Sequence, residues 1–177
     1  KEKIKKKFTG EYKGDWMHGL HVVAAADVDL KNPAYPSGET GIGIKGGYSI
    51  RLLERKLLLG LEIGYLSVET WDRHRFSLTT QIPVLYRVGI WLDGTIQLYV
   101  GGALDFRWTR CPQGMCSGWG TIGFGGDIRV LWDWGDRAGL LVDVTPLFAI
   151  NPADRYGASG LLNGFVCVRL GLFFGVR

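Results

Sequence analysis

Asp105 and Arg107 stand two residues apart, and Asp127 and Arg129 repeat that spacing further along the chain. In an extended backbone this spacing puts both members of each couple on one face. Acid–base couples held this way can serve an ion path, or they can neutralise one another in a buried polar network. The same parity in neighbouring segments adds Asp27, Asp29, Lys45, Arg51, Glu62, Arg87, Asp143 and Arg169, which makes six acids and six bases in all. A neutral set predicts mutual pairing.

A second group with chemical potential is His74 with Ser77 and Glu69. A histidine beside a serine and an acid is the equipment of acyl transfer. His74 and Ser77 differ by three, so in a regular strand they point to opposite faces. His74 is therefore expected to be a solvated loop residue, and no catalytic residue is assigned. His18 and His21 fall at the other end of the pattern, as interface or lumen residues. Cys111 and Cys116 are separated by Pro-Gln-Gly-Met, a turn-prone spacer, and a loop disulfide there suits an oxidising compartment. Zinc would need a second ligand pair, so no metal and no cofactor is expected. Cys167 sits alone in a strand and reads as packing.

The elements that must position these residues are strands. Apolar and polar residues alternate with period two in eight segments. They run over residues 19–31, 40–52, 57–69, 76–90, 96–108, 122–132, 138–150 and 161–177. The hairpin from Ile96 to Trp132 shows the pattern well: Leu98, Val100, Leu104 and Phe106 share one face of its first half, and Phe124, Ile128 and Val130 share one face of its second. Pro83 weakens the fourth segment locally, because it cannot donate to a ladder. No helical-period segment is convincing, and no run approaches the ~18 apolar residues of a membrane helix. The chain is predicted to be all-β.

With 177 residues the chain makes one domain with a tail. Residues 1–16 form an arm and residues 17–177 the domain. The arm holds Lys1, Lys3, Lys5, Lys6 and Lys7 against Glu2 in its first seven residues, which accounts for the whole formal charge of +4. The remainder is neutral and offers no basic surface to nucleic acid. The arm is not a secretion signal, because residues 8–15 supply no apolar core after the lysines. It is expected to be a solvated tail, with contact to anionic lipid or a periplasmic partner as the sharper alternative.

Alternation alone does not say which face is inside. The eight apolar rows contain no Asp, Glu, Lys or Arg, while the opposite rows carry all twelve charges. Trp16, Trp71, Trp91, Trp108, Trp119, Trp132 and Trp134 all fall at predicted strand ends, where membrane-interface aromatics belong. Connections near 53–56, 91–94 and 133–137 are short, and those near 32–39, 69–75, 109–118 and 151–159 are longer and polar. That alternation is the habit of membrane barrels. The fold predicted is an eight-stranded antiparallel up-and-down transmembrane β-barrel, with apolar rows facing lipid and both termini periplasmic. A soluble lipocalin-like barrel carrying an apolar ligand is the alternative.

At pattern level the chain resembles the small eight-stranded outer-membrane barrels of the OmpA, OmpX and OmpW kind. The segments that carry the resemblance are residues 81–87 (QIPVLYR), residues 98–103 (LYVGGA) and the terminal Arg169–Arg177. Such barrels usually end on an aromatic, whereas this chain ends on Arg177, with Phe174 nearest. The resemblance implies a bacterial outer-membrane location, contact with phospholipid or lipopolysaccharide, and a lumen just wide enough for side chains. The function expected is a non-enzymatic barrel with a plugged lumen, serving as an envelope structural component or as a docking platform through loop residues such as Tyr35, Trp71, Met115 and Tyr156. The alternatives are a lipid A hydrolase or acyltransferase, and a narrow ion channel.

Overall fold

The computed structural model describes residues 17–29, 40–69, 74–92, 94–110, 119–134, 138–150 and 162–176. Eight strands occur: β1 (His18–Asp29), β2 (Thr40–Leu52), β3 (Leu57–Glu69), β4 (His74–Trp91), β5 (Ile96–Arg110), β6 (Trp119–Asp133), β7 (Ala138–Ile150) and β8 (Leu162–Val176). Each pairs antiparallel with its sequence neighbours, and β8 closes on β1. The result is the closed up-and-down barrel that the alternation predicts, and closure leaves no strand edge unpaired. No helix occurs among the described residues.

The register sets the bore. Following backbone partners from His18 leads through Ile50, Leu59, Val84 and Gly102 to Gly126. The path continues past Pro146 to Val166 and returns to β1 at Val28, ten residues above its start. Eight strands staggered in this way leave an interior that side chains can fill. Two gaps in the ladder have one cause. The ladder is interrupted at Gly60 and Leu61 opposite β4 beside Pro83, and at Gly126 and Asp127 opposite β7 beside Pro146. Proline has no N–H to give.

The strand limits differ from the sequence reading at several ends. β4 begins at His74 and runs on to Trp91, so His74 is a strand residue instead of a loop one. Asp133 closes β6 and is buried, where the sequence pattern puts a turn. A bulge between Arg87 and Gly89 breaks the period of β4. Without it Trp91 would share the inward parity of Leu85 and Arg87. The inserted residue instead pairs Trp91 with the outward Ile96, and Trp91 is 51% exposed. The connection at 53–56 is also unusual. Leu53, Glu54 and Arg55 have φ of 51°, 54° and 67°, a left-handed turn built without glycine that costs roughly 1–2 kcal/mol per residue. It is held by Lys56 N–H donating to Leu53 O at 3.1 Å and Arg87 N–H donating to Lys56 O at 2.7 Å.

The two faces of the wall are chemically opposite. Every exposed strand residue among the described ones is aliphatic, aromatic or glycine. Tyr48, Tyr86, Trp91, Trp132, Trp134 and Phe174 ring the outer surface at the short-turn end. Tyr65, Phe76, Phe106, Trp108, Phe124 and Phe148 ring it at the other. Trp132 pairs with Ile96, and Trp108 lies twelve residues beyond Ile96 on β5. At ~3.3 Å per residue and a tilt of about 40°, the two aromatic belts are about 30 Å apart.

Candidate functional site in the barrel lumen

The charged residues meet inside the barrel because period-two strands send alternate residues to one face. Asp27, Lys45, Arg51, Glu62, Asp105, Asp127, Arg129, Asp143 and Arg169 are all buried, and Arg87 and Arg107 are partly exposed. Of Asp29 only the backbone is described. Along the axis the inward residues fall at successive levels into three polar groups and one apolar ring.

The central group is built on Glu62, Asp143 and Arg169, from β3, β7 and β8. Arg129 Nη2 donates to Glu62 Oε1 at 2.6 Å, and Arg129 Nε donates to Asp143 Oδ2 at 2.9 Å. Arg169 Nη1 donates to Glu62 Oε2 and, at 3.0 Å, to Gln81 Oε1. Its Nε reaches Asp143 Oδ1 at 2.8 Å and its Nη2 reaches Asp127 Oδ2 at 3.3 Å. Thr145 Oγ1 donates to Asp143 Oδ1 at 2.9 Å. His21 Nε2 lies 3.1 Å from Glu62 Oε1. Lys45 Nζ donates to Gln81 Oε1 at 3.3 Å and approaches Cys167 Sγ at 3.7 Å. Three carboxylates, Glu62, Asp127 and Asp143, thus share the Arg129 and Arg169 guanidinium groups, with His21 beside Glu62 and Lys45 on Gln81. Pairs this deep hold their geometry because bidentate, charge-assisted hydrogen bonds replace the lost hydration. Two glycines make the space. A Cβ on Gly47 would fall on the His21 ring, and one on Gly64 would fall on the Lys45 side chain.

Towards the end carrying the longer connections, Arg107 Nη2 pairs with Asp27 Oδ2 at 2.6 Å, and its Nε lies 3.5 Å from Asp105 Oδ1. The Arg107 guanidinium also sits 4.3 Å from the Phe165 ring centroid, within cation–π range. At the short-turn end, Arg51 lies 5.9 Å from the Tyr99 ring centroid. The Tyr99 hydroxyl donates to Gln97 Oε1 at 3.0 Å, and Gln97 Nε2 donates to Asp133 Oδ2 at 2.9 Å.

Between the central group and this end lies the apolar ring. Leu58 faces Leu85 across β3 and β4, and Leu131 faces Leu141 across β6 and β7. Val23, Tyr99 and Phe173 complete one cluster in which each member is at most 3% exposed. Seven of the eight strands contribute one residue each. Sequence reading put these residues on the inward rows but had no means of stacking them at one level. His21, expected as an interface or lumen residue, takes the lumen side, and Asp133 was missed because it lay beyond the predicted end of its strand.

Of the seven tryptophans, Trp91, Trp108, Trp132 and Trp134 are exposed on the outer surface. Trp119 begins β6, though its side chain is outside the described residues, as are Trp16, Trp71, Cys111 and Cys116 altogether. Cys167 is a free, buried thiol. The side chains of His74 and Glu69 are also outside the described set, while Ser77 is buried in the lumen. His18 takes the outer face, hydrogen-bonded through Nδ1 to the Tyr48 hydroxyl.

No family model and no curated protein matches the sequence. Solved structures do match the fold. The crystal structure of Neisserial surface protein A aligns with a TM-score of 0.68 at 11% identity, covering 90% of this chain and 97% of that one. The outer membrane protein OprG of Pseudomonas aeruginosa aligns at 0.58 and 10% identity over 92% of this chain and 97% of its own. Ail, the attachment invasion locus protein of Yersinia pestis, aligns at 0.52 and 8% identity over 90% and 98%. The fold is that of the small outer-membrane barrels. At these identities the likeness concerns architecture, not activity.

Proposed function

We propose that this chain is an integral bacterial outer-membrane β-barrel that crosses the bilayer with β1–β8, with both termini on the periplasmic side. The observation that carries this reading is the outer wall. Ile42, Ile44 and Val22 are 68%, 65% and 57% exposed, and no charged residue interrupts the band between the two aromatic belts among the described residues. An apolar surface of this extent is costly in water. It matches the ~25 Å lipid-facing band and flanking girdles of membrane barrels.

The lumen, on this reading, is plugged. On this reading its bore is filled by paired charges and by the apolar ring, so the barrel is not a porin, and its role is non-enzymatic. It acts as an envelope structural component or as a platform that docks partner proteins through its longer connections, with phospholipid and lipopolysaccharide around the wall and a Cys111–Cys116 disulfide capping the outer end. The deciding test is the purified protein's behaviour. It should require detergent, and its folded form should migrate differently from the heated form on a gel. A monodisperse protein in plain buffer would return the soluble-carrier reading. Mass spectrometry of lipid A from cells with and without the protein tests the enzyme alternative, for which a changed acyl pattern is the signature.

A further inference from the structure

We infer that the barrier to permeation in this barrel is the single apolar ring around Tyr99, not the ion-pair network above it. The inference rests on the plugged-lumen reading and locates where the plug acts.

The argument begins with what each layer offers a passing ion. In the central group an ion meets carboxylates, guanidinium groups and amides, all able to replace part of its hydration shell. In the ring it meets aliphatic and aromatic carbon on seven strands. Entry there strips hydration without replacement, and a narrow apolar constriction expels water and closes by dewetting.

The ring is also tightly packed. Its leucines oppose one another in direct cross-strand pairs. Phe173 lies over Gly139 and Val23 over Gly171, where an added Cβ would strike the aromatic ring and the Val23 side chain. Polar groups stand on both sides, with the Glu62–Arg169 group above and Arg51, Gln97 and Asp133 below. The lumen is therefore two polar compartments divided by one apolar layer. The remaining strand, β2, faces this level with Ser49 and Gly47 between Arg51 and Lys45, and Ser49 is itself buried. That is where the ring is thinnest in apolar material.

The test is single-channel recording in planar lipid bilayers with the full-length protein, each variant first shown to be folded by heat-modifiable migration. The original protein should be silent. Leu85→Thr with Leu131→Thr, which places hydroxyls on β4 and β6, the strands on either side of Tyr99, should give steady unitary currents at least tenfold above baseline noise. Alanine at the same two positions thins the ring without adding polar groups and provides a second opening if the threonine pair does not fold. Glu62→Gln with Arg169→Gln, which dissolves the network's centre, should remain silent. Silent ring variants beside a conducting network variant would overturn the inference. Steady currents from the unaltered protein would instead overturn the plugged-lumen reading, so the two failures are distinguishable.

Discussion

Ile128 offers the most direct measure of what surrounds the wall. It lies on β6 midway between Trp132 and Phe124, four residues from each. With the tilt used above, it sits about 10 Å from each of these two aromatic side chains, well inside the apolar band. It is 48% exposed and flanked across the ladder by Val100 and Val144. Arginine on the lipid face at the bilayer midplane costs about 2–4 kcal/mol. Ile128→Arg should therefore lower the folding equilibrium constant by roughly one and a half to three powers of ten, since 1.4 kcal/mol is about tenfold. With a urea slope of about 1–3 kcal/mol/M, the unfolding midpoint should fall by about 0.7–4 M. The assay is reversible urea unfolding in phospholipid vesicles, followed by tryptophan fluorescence. Leu53→Arg is the control. It is 68% exposed but stands in the turn beyond the belt, where the same charge costs ~0–1 kcal/mol. If Ile128→Arg shifted stability by less than about 0.5 kcal/mol, as an exposed site on a water-soluble protein would, the lipid-facing assignment would be refuted.

Three further outcomes are expected. Glu62→Gln leaves the Arg129 and Arg169 guanidinium groups short of their shared carboxylate. It should destabilise by ~3–5 kcal/mol in the same vesicle titration, and a loss below about 1 kcal/mol would mean the network is not holding the barrel. Gly101→Ala drives a Cβ onto the Val84 carbonyl, whereas at Gly102 the nearest atom, Gly125 O, is 3.4 Å away. The first should cost about 1–3 kcal/mol and the second little, so equal midpoints would contradict the register of β4 and β5. Cys167 is 0% exposed. In a Cys111→Ser, Cys116→Ser background it should react with a thiol reagent only after unfolding, and prompt native labelling would reveal an accessible lumen.

Much of this architecture was legible in the sequence because strand parity is strictly local. Leu98 and Val100 take one face and Asp105 and Arg107 the other regardless of what lies beside them. Eight repeats of that rule, with no charge on one row, give the strand count, the two faces and the closed form. Parity failed where the backbone departs from it. The Arg87–Gly89 bulge turns Trp91 outward, and β6 extends to carry Asp133 inward. It also misjudged His74, which the ladder opposite Glu69 draws into β4.

Parity is equally silent about level. It sends Glu62, Asp143 and Arg169 inward without saying that they meet, for they come from β3, β7 and β8. The ten-residue stagger around the closed barrel brings these three to one depth. The same stagger collects Leu58, Leu85, Leu131 and Leu141 into a ring at another. Residue chemistry by itself determined which side of the wall each side chain takes, because that depends only on the two-residue repeat of an extended backbone. The tertiary structure alone decided which inward residues become neighbours, because the register and shear that align eight strands are properties of the closed sheet and of no single segment.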